Sequence, residues 1–287
     1  VSDGIRFQGD AAFKGENRPA GARMRIYLSD LPDKVKKPLK IDIYDSSGAS
    51  LRHIERELDS SDAGLYSYIW DLCERGVRGP RFGKINKKNN KSDPRGALVK
   101  PGTYKVRFSF DGDSDSTMIK VVDDPRRILD DGEWTSGILF RRSLHKPTKA
   151  LTEVVTRLYE VKESIEAFEK LLKLRTKNDT SLFKNSLKKI KAFKKKIEDE
   201  RIKLFGKNDI KRGYFEQPET WTYIDRQFKS YLWPMSGKPT PNIMSIHNLW
   251  LEKTESATKR VENLLDNEWL NLSDELKAEF PNDIFPR

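Results

Sequence analysis

One cysteine, Cys73, and three histidines, His53, His145 and His247, are all that 287 residues offer to thiolate or imidazole chemistry. A lone cysteine excludes an intrachain disulfide and a multi-cysteine zinc site, and Cys73 reads as a small, semi-buried side chain beside Trp70. The histidines fall in different elements without metal-ligand spacing. "HIERE" at His53 lacks the second histidine that a zinc-binding helix needs. Gly-rich phosphate loops and nucleophile elbows are missing. No apolar run approaches the roughly 20 residues of a membrane-spanning helix. Carboxylates are plentiful, but Asp30, Asp45 and Asp71 stand where turns and caps use aspartate. The residues therefore nominate no catalytic group, no cofactor and no metal ligand.

Charge is what the chain has in excess. Lys and Arg number 55 against 44 Asp and Glu, a formal net charge of +11. With a mean hydropathy of -0.75, the apolar residues must be gathered into patterned segments. The length suits two domains, each with its own core. The basic balance would suit a polyanion, although charge runs are ordinarily solvated faces. The chain starts at Val1 without initiator Met or signal, and so reads as a processed product or a piece of something longer.

Up to about residue 126 the pattern has period two. Met24, Ile26 and Leu28 alternate, then Leu39, Ile41 and Ile43, then Tyr104, Val106, Phe108 and Phe110. Such runs predict half-buried antiparallel strands. In "AGLYSYIWDL" Tyr66, Tyr68 and Trp70 share one face, and Leu65, Ser67 and Ile69 the other. "DSSGAS" after Asp45 predicts a turn with Gly48 at positive φ, and "LRHIERE" the returning strand. About seven short strands result, the number of an immunoglobulin-like sandwich. Trp70, Tyr104, Ile41, Ile43 and Phe108 are its expected core.

Residues 74–100 break the alternation with Gly, Pro, Asn and Lys, which predicts a long exposed loop without strands. Lys84, Lys87, Lys88, Lys91 and Arg95 are its candidate contacts for a polyanion. Phe82 is its only aromatic, too few for the stacking platforms of nucleic-acid binders. Nucleic acid is disfavoured as a partner, and an acidic glycan fits better.

Residues 127–146 read as a connector, and 147–287 as helices. Leu151, Val154, Leu158, Val161, Ile165, Phe168 and Leu172 draw one apolar seam. Phe183, Leu187, Ile190, Phe193, Ile197 and Leu204 draw a second, with Asp179 and Thr180 as caps and Gly206 as stop. Trp221, Ile224, Phe228 and Tyr231 line a third helix. Ile243, Ile246, Trp250, Ala257, Val261 and Leu264 line a fourth, and Ser273 caps a final turn. Short connections make such helices antiparallel neighbours, a four-helix bundle. The lysine run "KKIKAFKKKIEDERIK" reads as a solvated outer face with i,i+4 pairing.

The strand motifs carry a resemblance. Asp45 with Gly48, Gly64 with Trp70 and Asp71, and Pro101 with Gly102 and Tyr104 resemble the Ig-like domain of the flagellar hook-capping (FlgD-like) type. Gly102 would there let the chain swing into the next strand. The sandwich followed by a helical bundle is similar to the C-terminal region of bacterial sortilin-type, glycosyl-hydrolase-like β-propeller proteins. The resemblance implies a non-catalytic module, secreted, periplasmic or on the cell surface, that packs on a β-propeller of the same parent or meets other envelope proteins. It leaves open a hydrolase whose active site lies on a propeller outside this chain, and a polyanion-binding role for the 74–100 loop.

Overall fold

A computed structural model describes residues 19–29, 31, 37–84, 92–126, 129–175, 184–208, 217–232, 235 and 237–280. Antiparallel strands precede helices. The strands are β1 (Ala22–Leu28), β2 (Leu39–Tyr44), β3 (Ser50–Arg56), β4 (Gly64–Trp70), β5 (Cys73–Arg75), β6 (Arg95–Leu98), β7 (Gly102–Phe110) and β8 (Asp113–Val121). The helices are α1 (Asp131–Ser143), α2 (His145–Arg175), α3 (Lys184–Phe205), α4 (Trp221–Leu232), α5 (Pro241–Asn263) and α6 (Leu270–Glu279). Two compact units result. The first draws on Val1–Leu51, Glu55–Cys73 and Pro101–Val122, the second on Arg52–Ile54, Glu74–Lys100 and Asp123–Arg287.

In the first unit β1 pairs with β4, from Ala22 opposite Trp70 to Leu28 opposite Gly64. A second sheet has the order β3-β2-β7-β8. Alternation buries Leu39, Ile41 and Ile43 on β2 and Tyr104 and Val106 on β7, while Phe108 is half-buried. Trp70 is wholly buried. Its ring meets Tyr104 edge-on, with centroids 5.5 Å apart, and its indole N–H donates to the Cys73 carbonyl at 3.1 Å. The Asp71 carboxylate accepts the Cys73 N–H at 3.2 Å, which fixes the turn after the strand. Cys73 is thus fully buried rather than semi-buried. Gly102 corrects another expectation: it has no positive φ, and a Cβ there would touch only the Tyr104 ring at an ordinary 3.8 Å.

β7 and β8 are joined by Asp111 and Gly112, at φ of 49° and 107°, the two-residue Asp-Gly turn that matches strand twist. β8 is an edge strand. Asp115 lies opposite Phe108 and Ile119 opposite Tyr104, so a carboxylate shares the side of the sheet that Tyr104 faces. Such a charge on an edge strand discourages pairing with another chain.

The second unit overturns two readings. Residues 74–100 are not strand-free, because β5 and β6 pair in a two-stranded sheet. Glycine makes this possible: a Cβ on Gly76 would lie 2.3 Å from the Arg95 carbonyl oxygen, and one on Gly96 2.6 Å from that of Arg75. The stretch read as a connector is helical over Asp131–Ser143. Its start is a capping box, in which Asp130 accepts the Glu133 N–H at 2.7 Å and Glu133 accepts the Asp130 N–H at 3.3 Å.

The expected seams are largely inward. Leu151, Val154, Leu158, Ile165, Phe168 and Leu172 are buried with Ile190, Phe193, Ile197 and Leu204, while Val161 and Leu187 are half-buried. The caps Asp179 and Thr180, and Phe183, lie outside the described residues. Tyr231 does not join its face: it is 50% exposed and Leu232 turns inward instead. Ser273 is no cap. It is buried inside one unbroken helical run, in which α5 passes through a π turn, Leu264–Trp269, into α6. The extra residue of a π turn rotates the next helical segment by about 100°, which returns Leu272, Leu276 and Phe280 to the core. α2 packs on α3 and α5, and α4 on α3 and α5.

Candidate functional site

The helical unit holds a cleft of about 250 Å³ lined from α3 by Lys196, Asp199, Glu200 and Lys203, and from the α5 end by Arg260, Asn263, Leu264 and Glu268. The helix phase that buries Ile197 and Leu204 also turns Glu200 inward, and its side chain is 11% exposed. Glu200 accepts from Lys203 Nζ at 2.6 Å and from Arg260 Nε at 3.1 Å. Arg260 also donates to Ser256 Oγ at 3.0 Å. Lys196 pairs with Glu268 at 2.5 Å, on the π turn. Three cations and three carboxylates line the cleft, so its charges close largely on one another. Such a lattice ties α3 to α5. The lysine run that reads as a solvated outer face thus contains Glu200, which α-helical phase buries while Glu198 and Asp199 stay exposed.

A second cluster ties Glu74, Arg78 and Phe82 to the helices. Glu74, almost wholly buried, accepts both ends of the Arg142 fork, Nε at 2.9 Å and the terminal amine at 2.5 Å, the geometry in which guanidinium binds carboxylate most strongly. Beside them, burial holds the His145 imidazole below its ordinary value, the Arg142 charge acts in the same sense, and Glu74 opposes. Phe82 packs edge-on against Tyr159 at 5.3 Å and lies near Phe205. Thr152 Oγ1 donates to the Arg78 carbonyl at 3.0 Å.

The polyanion candidates are not brought together by these contacts. Lys84 is drawn to Glu163 on α2 at 3.5 Å. Arg95 stands exposed at the start of β6. Lys87, Lys88 and Lys91 lie outside the described residues. His53, His145 and His247 remain separate: His247 sits against Phe140, Phe228 and Trp250. Among the described residues no group of three His, Cys, Asp or Glu side chains could hold a metal ion. No described helix is long and apolar enough to cross a membrane.

Sequence reasoning missed Glu74, Arg142, Glu200 and Arg260. For Glu200 a signal existed: it stands three residues after Ile197 and four before Leu204, on the buried stripe. The partners Arg142 and Arg260 come from distant elements and left no local trace.

No family model, curated protein or solved structure matches the chain. The resemblance to the hook-capping Ig-like type therefore rests on the motif residues alone, and that to propeller proteins on the order of strands and helices.

Proposed function

We propose that the chain is a non-catalytic structural and interaction module of a larger bacterial secreted or envelope β-propeller protein. Its strands would form an Ig-like sandwich and its α2–α5 helices an antiparallel four-helix bundle. The closed cycle of contacts α2–α3–α4–α5 supports the bundle, and Trp70 plugged against Tyr104 supports the sandwich.

The observation that carries the interaction role is a cross-strand apolar pair. Tyr27 and Leu65 stand directly opposite each other in the β1–β4 ladder, and they are 73% and 65% exposed. Opposed large side chains on a ladder make a contiguous apolar patch, which soluble surfaces carry sparingly outside contact sites. The patch would seat the propeller.

The test joins sequence and binding. The full reading frame should encode propeller repeats. The isolated propeller should bind this chain, and Tyr27→Ser with Leu65→Ser should weaken binding at least tenfold without altering the circular dichroism spectrum. A reading frame without a propeller, or a double variant that binds like the wild type, overturns the proposal.

A further inference from the structure

Seven of the eight lysines of α3 fall into two sets; the eighth, Lys203, pairs with Glu200 on its own helix. Those flanking its buried side are paired with carboxylates of neighbouring helices: Lys189 with Glu275 at 2.7 Å, Lys196 with Glu268 at 2.5 Å, and Lys194 with Glu169 at 2.7 Å. The second set is Lys184, Lys188, Lys191 and Lys195, all exposed. At about 100° per residue their spacings of four, three and four place all four within an arc of about 60°. That arc is opposite the side that buries Ser186, Ile190, Phe193 and Ile197. None of the four has an ion pair among the described residues. They form one straight row about 16 Å long, at the roughly 1.5 Å rise of a helix.

A row of like charges at i,i+3 and i,i+4 costs helix stability. Here Glu275, Glu268 and Glu169 are engaged by the other lysines, and only Asp199, four residues beyond Lys195, stands at the end of the row without a described ion pair. Glu198, which closes the row toward the helix C-terminus, is held by Arg201 at 2.7 Å. The row is thus a narrow positive ridge bordered by ion pairs on both sides.

We propose that this ridge binds a linear acidic polysaccharide, with sulfate or carboxylate groups spaced along the four lysines. Its shape and composition select that partner. A single-stranded nucleic acid needs aromatic platforms, and the row is lysine alone. A duplex groove would bring its phosphates against the bordering carboxylates. An anionic bilayer favours a broad basic face with an apolar anchor, and the ridge is one lysine wide. Lysine, a compact point charge on a flexible stem, suits irregularly placed anionic groups better than planar readout. The proposal does not depend on the propeller reading, whose surface lies on β1 and β4.

The test is titration of the full chain with a heparin-derived oligosaccharide over a range of salt concentrations. The variant Lys184→Gln/Lys188→Gln/Lys191→Gln/Lys195→Gln should bind at least about tenfold more weakly. Its log affinity against log salt should flatten by about three, as counterion release requires for about four lost contacts. A control with the same loss of charge at paired lysines, Lys149→Gln/Lys162→Gln/Lys173→Gln/Lys229→Gln, should change less than about threefold, since net charge alone is a weak, screened effect. If the quadruple row variant does not fold, Lys188→Gln/Lys191→Gln supplies the same comparison at about half the slope change. Equal weakening in row and control variants overturns the proposal. So does absence of wild-type binding at low salt, or tighter binding of a single-stranded DNA of equal charge.

Discussion

Trp70 shows how much one side chain holds in place. Its ring fills the strand core beside Tyr104, and its N–H fixes the Cys73 carbonyl, so the backbone of the turn and the packing of the strands depend on the same residue. Trp70→Ala should cost roughly 3–5 kcal/mol, as other large aromatic-to-alanine core changes do. Hydrogen exchange should then quicken in peptides from β2 and β7, and unchanged exchange there would remove Trp70 from the core. Glu200 is the counterpart among charges. It neutralises Lys203 and Arg260 at the edge of the helical core, and Glu200→Gln leaves both cations without their carboxylate. The desolvated, hydrogen-bonded setting sets the loss at about 1–3 kcal/mol. It should appear as a lower urea midpoint by helical circular dichroism, partly restored by a second change, Arg260→Met.

At the scale of elements, two local devices decide what can pair with what. Gly76 admits the backbone of Arg95 so closely that a methyl group would overlap a carbonyl oxygen at 2.3 Å. Gly76→Ala must therefore force β5 and β6 apart, and exchange protection of Arg75 and Gly96 should fall, whereas Gly79→Ala, with open space around it, should be silent. The π turn at Leu264–Trp269 is the second device. Inserting one alanine between Leu270 and Asn271, in the regular helix beyond the turn, would turn Leu272, Leu276 and Phe280 about 100° away from the core. The variant should unfold at clearly lower urea, and a midpoint at or above the wild type would show that the turn does not set the phase. These elements also mark the limits of a sequence reading. The period-two runs and the Leu151–Leu172 seam were legible because burial on one face writes itself into residue spacing. α1 was overlooked because Gly132, Gly137 and the nearby prolines masked its capping box, Asp130 with Glu133. The β5–β6 pair left no alternation in strands of three and four residues. Tyr231 fits the spacing of its helix face but is exposed, because aromatic character does not itself imply burial and the helix turns Leu232 inward.

For the whole molecule, the excess of positive charge is a matter of arrangement more than of amount. In the helical unit the carboxylates bind helix to helix, and Glu169 is the clearest case. It accepts from Lys173 at 2.6 Å within α2 and from Lys194 at 2.7 Å across to α3. Those two bonds, Lys173 first, hold its carboxyl below the ordinary value of 4.5. A carboxylate with a lowered folded pKa contributes stability above its unfolded pKa and loses it as pH falls through the folded one. The pairing of α2 with α3 should thus be fully supported near neutral pH and weaken progressively below about pH 4.5. As acid neutralises the carboxylates, the lysines of α3 lose their partners, and repulsion along the helix adds to the loss. Glu169→Gln separates the local effect from the general one. Its urea midpoint, tracked by helical circular dichroism, should lie below that of the wild type at pH 7 and converge with it as the pH falls through the lowered pKa of Glu169 and its carboxylate is neutralised. A gap that stays constant across that range would mean that Glu169 contributes by packing, and the ion pairs bordering the α3 ridge would then have no part in fixing it to α2.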